Sequence, residues 1–152
     1  MKLSDILPRG AIIPNLSSSD KKGVLEELAA SVAPLAQTGS DEIVRVLLER
    51  EQLGSTGIGG GIGIPHGKLA SVQSIVVGFG LSRKGVEFDS LDNKPVHIFF
   101  LLITPENSTG SHLKVLAQIS KLLKKDHFKE SLIKAESIDE IQEIIHEIDE
   151  EF

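Results

Sequence analysis

The spacing of apolar residues predicts two helices in the first third of the chain. Apolar positions recur at helical intervals through SSSDKKGVLEELAASVAPL, where Ser19 or a neighbouring serine is the expected N-cap. Pro34 and the QTGS that follows are expected to end this helix. The next helix should begin at Ser40 as N-cap, because Asp41 and Glu42 then lie at the positive end of the helix dipole.

Three more helices are predicted in the last third of the chain. HFKESLIKA is expected to form a short helical turn, and the final helix begins with a capping box between Ser137 and Glu140. The apolar face expected in STGSHLKVLAQISKLLKKD consists of Leu113, Leu116, Ser120 and Leu123. The inward face expected in the final helix consists of Ile138, Ile141, Ile144, Ile145 and Ile148.

Between the helices, short segments rich in β-branched and aromatic residues predict strands at 74–82 and 96–104. In the second segment, apolar and polar residues barely alternate, which predicts a strand that is buried on both faces. Residues 11–13, before Pro14, predict a short edge strand. Helices that precede and follow the strands along the chain indicate a layered α/β domain. Without an internal repeat or linker, we expect one domain over residues 1–152.

Composition narrows the class of protein. The net charge is −6 and the six aromatic residues are all Phe, which argues against a nucleic-acid partner. No apolar run approaches the length of a membrane span, and the N-terminus has no secretory signal pattern, so we expect a cytoplasmic protein without direct membrane insertion. The absence of cysteine excludes disulfides, a thiolate nucleophile and a Cys-based metal site.

Half of the 14 glycines lie in one stretch, GSTGIGGGIGIPHGK at 54–68, but their spacing fits no nucleotide motif. A P-loop would need Gly at Ile62 and Ser or Thr at Leu69. The dinucleotide fingerprint G-x-G-x-x-G also finds no register here. Nucleotide binding is therefore not predicted.

Five histidines suggest a metal site, but no two of them have the close spacing of metal-ligand motifs. We expect His127 and His146 on the surface and His97 as a strand-end or core residue. His66 is different, because Pro65 fixes the backbone before it and the N–H of Gly67 can face an oxyanion. This setting suits a nucleophile that meets a large electrophile, although a turn with a chance histidine explains the residues equally well.

The segment LEREQLGSTGIGGGIGIPHGKL at 48–69 resembles the active-site segment of enzyme IIA proteins of the phosphoenolpyruvate-dependent sugar phosphotransferase system. The resemblance is to the fructose/mannitol class, in particular its nitrogen-regulatory branch. It continues through VEFDSLDNKPVHIFFLLITPENSTGSHLKVLAQISKLL, and Gly63 stands where many relatives have alanine. It implies a single domain with a central mixed β-sheet flanked by helices.

The resemblance also implies a function. Such proteins accept a phosphoryl group from the phosphocarrier HPr, or its nitrogen-branch counterpart, and carry it on Nε2 of the histidine that matches His66. They pass it to an enzyme IIB or use it as a signal to regulatory target proteins, and they need no cofactor. The glycines would then clear space around His66 for the partner's phosphohistidine. A neutral imidazole has the lone pair for this attack.

The resemblance assigns supporting roles to His112, beside the acceptor, and to Arg50, which would bind phosphate oxygens as a bidentate guanidinium. Ser55, Thr56 and the N–H of Gly67 would donate further hydrogen bonds. Each has a plainer alternative, since Arg50 suits a helix C-terminus, His112 suits a cap and the hydroxyls suit local turns. Lys68 has a weaker claim than these residues.

Three isoleucines beside the motif are expected to be core residues first, with any exposed members forming a docking rim: Ile58, Ile62 and Ile64. Two other functions stay open. One is a binding module of the same fold without phosphotransfer. The other is a histidine-dependent hydrolase or metalloenzyme, which the missing metal spacing disfavours.

Overall fold

A computed structural model describes residues 3–107 and 109–149, without the side chains of Thr109, Ser111, His112 and Ile148. The helices are α1 (Leu3–Ile6), α2 (Lys21–Ala36), α3 (Ser40–Glu51), α4 (Thr109–Leu123), α5 (Asp126–Lys134) and α6 (Ile138–Asp149). The strands are β1 (Ile12–Ile13), β2 (Gly57–Gly59), β3 (Ile62–Gly63), β4 (His66–Leu69), β5 (Val76–Val86) and β6 (Val96–Pro105).

Strand β6 is the centre of a mixed sheet. It pairs antiparallel with β5 on one side, and on the other it pairs parallel with β3 and then with β4. Strand β1 adds to β5 in parallel, and β2 adds to β3 in antiparallel orientation. Helices α2 and α3 pack on the sheet at β5 and β4, and α5 packs on β5 and β6. The predicted α/β fold with a central mixed sheet flanked by helices is confirmed.

The strand predictions agree with the structure. β5 and β6 cover most of the predicted segments, and 98–104 is buried throughout, as expected for a strand covered on both faces. β1 lies at the edge of the sheet, as the short apolar pair before Pro14 predicted. The two strands pack their aromatic rings together, with Phe79 and Phe100 edge to face at 5.0 Å between ring centroids.

Two predicted helix caps are wrong. The N-cap of α2 is Asp20, whose side chain accepts a hydrogen bond of 2.8 Å from the N–H of Gly23. The N-cap of α3 is Gly39, so Ser40 is already helical and makes no capping bond. Pro34 lies inside the last turn of α2 and does not end it, because the chain turns only at Gln37, which has a left-handed φ of 55°.

The predicted face of α4 is partly right. Leu123 is buried and Leu116 packs partly buried against the core, as expected, but Leu113 is 58% exposed. The other buried residues, Val115, Ile119 and Leu122, lie outside the predicted face. Both sets have helical spacing, and the choice between them depends on which side meets the sheet.

Helix α6 follows its prediction more closely. Ile141 and Ile145 are buried, and the Ser137 hydroxyl accepts from the N–H of Glu140 at 3.2 Å. The Glu140 carboxylate accepts from the N–H of Glu136 rather than of Ser137, so only half of the capping box forms. The side chain of Ile148 lies outside the described residues.

The glycine-rich stretch, for which no strands were predicted, contains β2, β3 and β4. A turn at Gly59, Gly60 and Gly61 joins β2 to β3, with φ values of 95°, 67° and 81°. A side chain at any of these positions would strain the backbone, which explains the run of glycines. The short helix α1 was not predicted either. The Asp149 carboxylate of α6 accepts hydrogen bonds from the N–H groups of Leu3 and Ser4.

Candidate active site

His66 opens strand β4 beside Leu102 of β6, so the sheet holds its backbone. Its Nδ1 lies 2.9 Å from the carbonyl oxygen of Ile64. A carbonyl can only accept a hydrogen bond, so Nδ1 carries a proton in this pair. In the neutral ring, Nε2 then has the lone pair.

Burial lowers the pKa of His66 below its ordinary value of 6.5. The positive charge of Arg50 lowers this pKa further, while the bond to Ile64 and the negative charge of Glu51 act in the opposite direction. The net shift is downward, so the imidazole is neutral near pH 7. A half-buried neutral imidazole with its lone pair on Nε2 is a competent nucleophile.

His66 faces a cleft of about 480 Å³ between the end of α3, strand β4 and the start of α4. Arg50, Leu53, Gly67 and Leu113 also line it. Leu53 is 84% exposed and Leu113 is 58% exposed, so the cleft has an apolar rim. Ile62 and Ile64 are buried core residues, and Ile58 is partly buried against the same core, as expected. The exposed leucines that line the cleft are Leu53 and Leu113.

Arg50 lies in the last turn of α3, where its Nη1 donates to the carbonyl oxygen of Gly54 at 2.9 Å. This bond satisfies a backbone acceptor just past the helix end, as the plainer alternative for Arg50 expected. The same residue lines the cleft with His66 and acts electrostatically on it. The role of Arg50 as a phosphate ligand stays a prediction.

The hydroxyls of Ser55 and Thr56 are engaged inside the protein. Ser55 Oγ donates to the carbonyl oxygen of Phe88 at 2.8 Å and accepts from the N–H of Gly57 at 3.0 Å. Thr56 is 3% exposed and its hydroxyl donates to the carboxylate of Glu51. Their proposed role as phosphate donors stays a prediction, and the contacts here are those of a well-ordered turn.

Several glycines of the motif lie in close contact with residues elsewhere in the protein. A Cβ added at Gly67 would overlap Cγ1 of Val46 on α3, so this glycine lets α3 approach β4. Gly57 similarly lies against Ser90, and Gly63 against Phe99. These contacts lie within the protein itself, so clearance around the imidazole for a partner's phosphohistidine stays a prediction. The N–H of Gly67 as an oxyanion donor stays a prediction.

His112 belongs to the first turn of α4, and its side chain lies outside the described residues, so its role stays a prediction. His97 lies in β6 with Nδ1 2.8 Å from the carbonyl oxygen of Ser82, a strand position as expected. His127 and His146 are exposed, also as expected.

The described part of the chain contains no group of three or more His, Asp or Glu side chains arranged to hold a metal ion. Within the same residues, no helix has the length and apolar character needed to cross a membrane.

Glu51 is the site residue that sequence reasoning missed. Its side chain is 4% exposed, it accepts from the N–H of Thr56 at 3.1 Å as well as from its hydroxyl, and it pairs with Lys21 at 3.0 Å. An acidic residue directly after Arg50 was visible in the sequence, but a glutamate at a helix end is ordinarily solvated. Its burial becomes apparent only from its partners, Lys21 of α2 and Thr56 in the turn before β2.

The chain has close similarity to known proteins. A family model for "Phosphoenolpyruvate-dependent sugar phosphotransferase system, EIIA 2" matches residues 5–148. A nitrogen regulatory protein of Bradyrhizobium diazoefficiens is 41% identical over 124 residues, which cover 82% of this chain and 81% of that protein. The fructose-specific EIIABC component of Bacillus subtilis is 35% identical over 98% of this chain, which spans only 24% of that protein.

Solved structures agree with this similarity. The crystal structure of nitrogen regulatory protein IIA-Ntr from Neisseria meningitidis superposes with a TM-score of 0.89 at 35% identity. The match covers 94% of this chain and 98% of that chain.

Proposed function

The chain belongs to the EIIA 2 family of the phosphoenolpyruvate-dependent sugar phosphotransferase system, and we propose that it accepts a phosphoryl group on Nε2 of His66. Its phosphocarrier or regulatory role in that system follows from the family and from relatives named as nitrogen regulatory proteins. The assignment to His66 rests on the hydrogen bonding and position of its imidazole ring. Its Nδ1–H is bound to Ile64, which leaves the lone pair on Nε2 in a cleft shared with Arg50.

The transfer balances without a cofactor or a separate base. The Nε2 lone pair attacks phosphorus on the donor's phosphohistidine, a new N–P bond forms, and the electron pair of the old N–P bond returns to the donor's ring nitrogen. The Nδ1 proton of His66 stays in its bond to Ile64 and stabilises the positive charge that develops on the ring.

Arg50 is proposed to hold the transferred group. Its guanidinium lines the cleft and keeps further N–H donors beside the one bound to Gly54. Two of these donors match two phosphate oxygens, and the fixed positive charge stabilises the negative charge spread over the group in flight. His112 is proposed as a second donor from α4, in line with the family resemblance.

The rim formed by Leu53 and Leu113 is the proposed docking surface for the donor protein. Two exposed leucines that line the same cleft as the nucleophile give a small apolar contact, which suits a complex that must form and dissociate quickly. The proposed donor is HPr or its nitrogen-branch counterpart. The phosphoryl group then passes to an enzyme IIB or stays on the protein as a signal to regulatory target proteins, and the acceptor step is common to both.

Intact-mass measurement after incubation with phosphoenolpyruvate, enzyme I and the phosphocarrier tests this proposal. We expect a gain of one acid-labile phosphoryl group in the wild type and none in His66→Ala. His97→Ala is the matched control, because His97 is also a half-buried histidine bound through Nδ1 to a carbonyl oxygen, and it should gain the group. A wild type that gains nothing from either carrier, or a His66→Ala variant that still gains it, would contradict the proposal.

A further inference from the structure

Glu51 has no part in the transfer described above, yet its carboxylate is buried beside the site. Burying a carboxylate is costly unless it is paired and hydrogen-bonded. Here both oxygens are used: Oε1 accepts from the N–H of Thr56 at 3.1 Å, and Oε2 accepts from the Thr56 hydroxyl. Glutamate ordinarily lies on the surface, so the burial of Glu51 calls for an explanation.

Lys21, which pairs with Glu51, lies at an unfavourable position for a cation. Lys21 is the first residue of α2, where the positive end of the helix dipole disfavours a cation. Its ammonium nevertheless lies 3.0 Å from Glu51 and 4.8 Å from the centre of the Phe88 ring. The ion pair joins the start of α2 to the end of α3, directly before the turn that contains Thr56.

From Glu51 a continuous series of hydrogen bonds leads to the reactive imidazole. Glu51 binds both polar groups of Thr56. The carbonyl oxygen of Thr56 accepts from the N–H of Ile64 at 3.0 Å, and the carbonyl oxygen of Ile64 accepts from Nδ1 of His66 at 2.9 Å. Each bond holds one polar group of a residue whose carbonyl oxygen accepts the next bond, so the position of Glu51 is transmitted to the ring through Thr56 and Ile64.

We propose that Glu51 is a positioning residue for His66, which acts through Thr56 and Ile64 to keep the Nδ1–H tautomer and so to present Nε2 for reaction. This inference rests on the proposed function only in that Nε2 is taken as the reacting nitrogen. Glu51 does not contact the ring and is not a catalytic residue. Its place resembles that of outer partners of metal-bound histidines, which fix a tautomer through a second hydrogen bond.

The test measures the tautomer directly. Ring ¹⁵N chemical shifts of His66, recorded near neutral pH on the whole chain, distinguish the Nδ1–H from the Nε2–H form. We expect the Nδ1–H form in the wild type and a mixture of both in Glu51→Met and Thr56→Val. Thr56→Ser keeps the hydroxyl and should retain the wild-type tautomer. Glu42→Met is the matched control, since Glu42 lies on the same helix in an exposed pair with Arg45.

Transfer rates from the phosphocarrier provide the second measurement. Loss of an outer hydrogen-bond partner typically costs about 10- to 100-fold, so we expect Thr56→Val and Glu51→Met to slow phosphoryl uptake by about 10-fold or more. Thr56→Ser should restore most of the rate. If far-UV circular dichroism shows that Glu51→Met does not fold, the comparison of Thr56→Val with Thr56→Ser provides the test.

Two outcomes separate this inference from the proposed function. If folded Thr56→Val keeps a pure Nδ1–H tautomer and the wild-type rate, the positioning role is wrong even though His66 carries phosphate. If the wild type takes up no phosphate but the tautomer changes in Thr56→Val and recovers in Thr56→Ser, the positioning of the ring holds and the proposed function fails.

Discussion

Replacing Gly67 by alanine tests whether the glycine after the reactive histidine exists for packing. An added Cβ would lie closer than 3.0 Å to Cγ1 of Val46, a distance that real Cβ atoms essentially never show. Val46 is β-branched and held in helix α3, so its side chain cannot rotate away cheaply. Either α3 or β4 must shift.

The expected loss is that of an overpacked site, about 1–3 kcal/mol in the free energy of unfolding. For a chain of this length, each kcal/mol lowers the melting temperature by about 2–4 °C, which gives a fall of about 2–12 °C. Because β4 also carries His66, the shift should slow phosphoryl uptake as well.

Far-UV circular dichroism during urea unfolding is the suitable assay, since the chain has no Trp or Tyr for fluorescence. Gly10→Ala is the matched control, because a Cβ there has nothing within 4 Å, and it should change stability little. Val46→Ala in the Gly67→Ala background removes the overlapping methyl, so the double variant should recover at least about 0.5–1 kcal/mol relative to additive losses. A Gly67→Ala variant as stable as the wild type, or strictly additive losses, would refute the packing argument.

Three further predictions concern the site. Because burial holds the pKa of His66 below 6.5, phosphoryl uptake should lose rate only as the pH falls below 6.5, where protonation removes the Nε2 lone pair; a ring titration by NMR with a midpoint at or above 6.5 would contradict this. Arg50→Lys loses the bidentate fork but keeps the charge, and should slow uptake by about 10- to 100-fold at unchanged melting temperature; an unchanged rate removes Arg50 from the site. Leu53→Ser should raise the KM for the phosphocarrier severalfold with little change in kcat, because Leu53 is 84% exposed and contributes docking surface only; an unchanged KM would place docking elsewhere.

The sequence pattern predicted strands β5 and β6 and helices α5 and α6, and the buried positions of β6 and α6 agree with it. It also predicted helix α4 but only part of its buried face, because Leu113 and Val115 each begin a helically spaced apolar series. A period defines a face relative to the helix itself, but not which face meets the rest of the protein.

The glycine-rich stretch also shows what the sequence predicts and what only the structure reveals. The motif predicts His66 as the reactive residue, with its glycines as clearance around the ring. The structure shows a tight turn at three of these glycines and close contacts of others with residues distant in sequence, such as Val46 and Phe99. A glycine can be read from the sequence, but the neighbouring side chain that leaves no room for a Cβ is seen only in the structure.

By itself, the sequence determined the α/β class, the long strand pair, most helices and the identity of the candidate nucleophile, because each depends on local spacing or on one continuous motif. Only the structure decided that Glu51 is buried, that Leu53 and Leu113 rim one cleft, and that His66 donates through Nδ1. The last property depends on the local backbone, since the acceptor is the carbonyl oxygen of Ile64. The first two depend on contacts between elements far apart in the chain, such as that of Lys21 in α2 with Glu51 in α3. Such contacts form only when the chain folds, since burial and hydrogen-bond partners are properties of residues distant in sequence that meet in space.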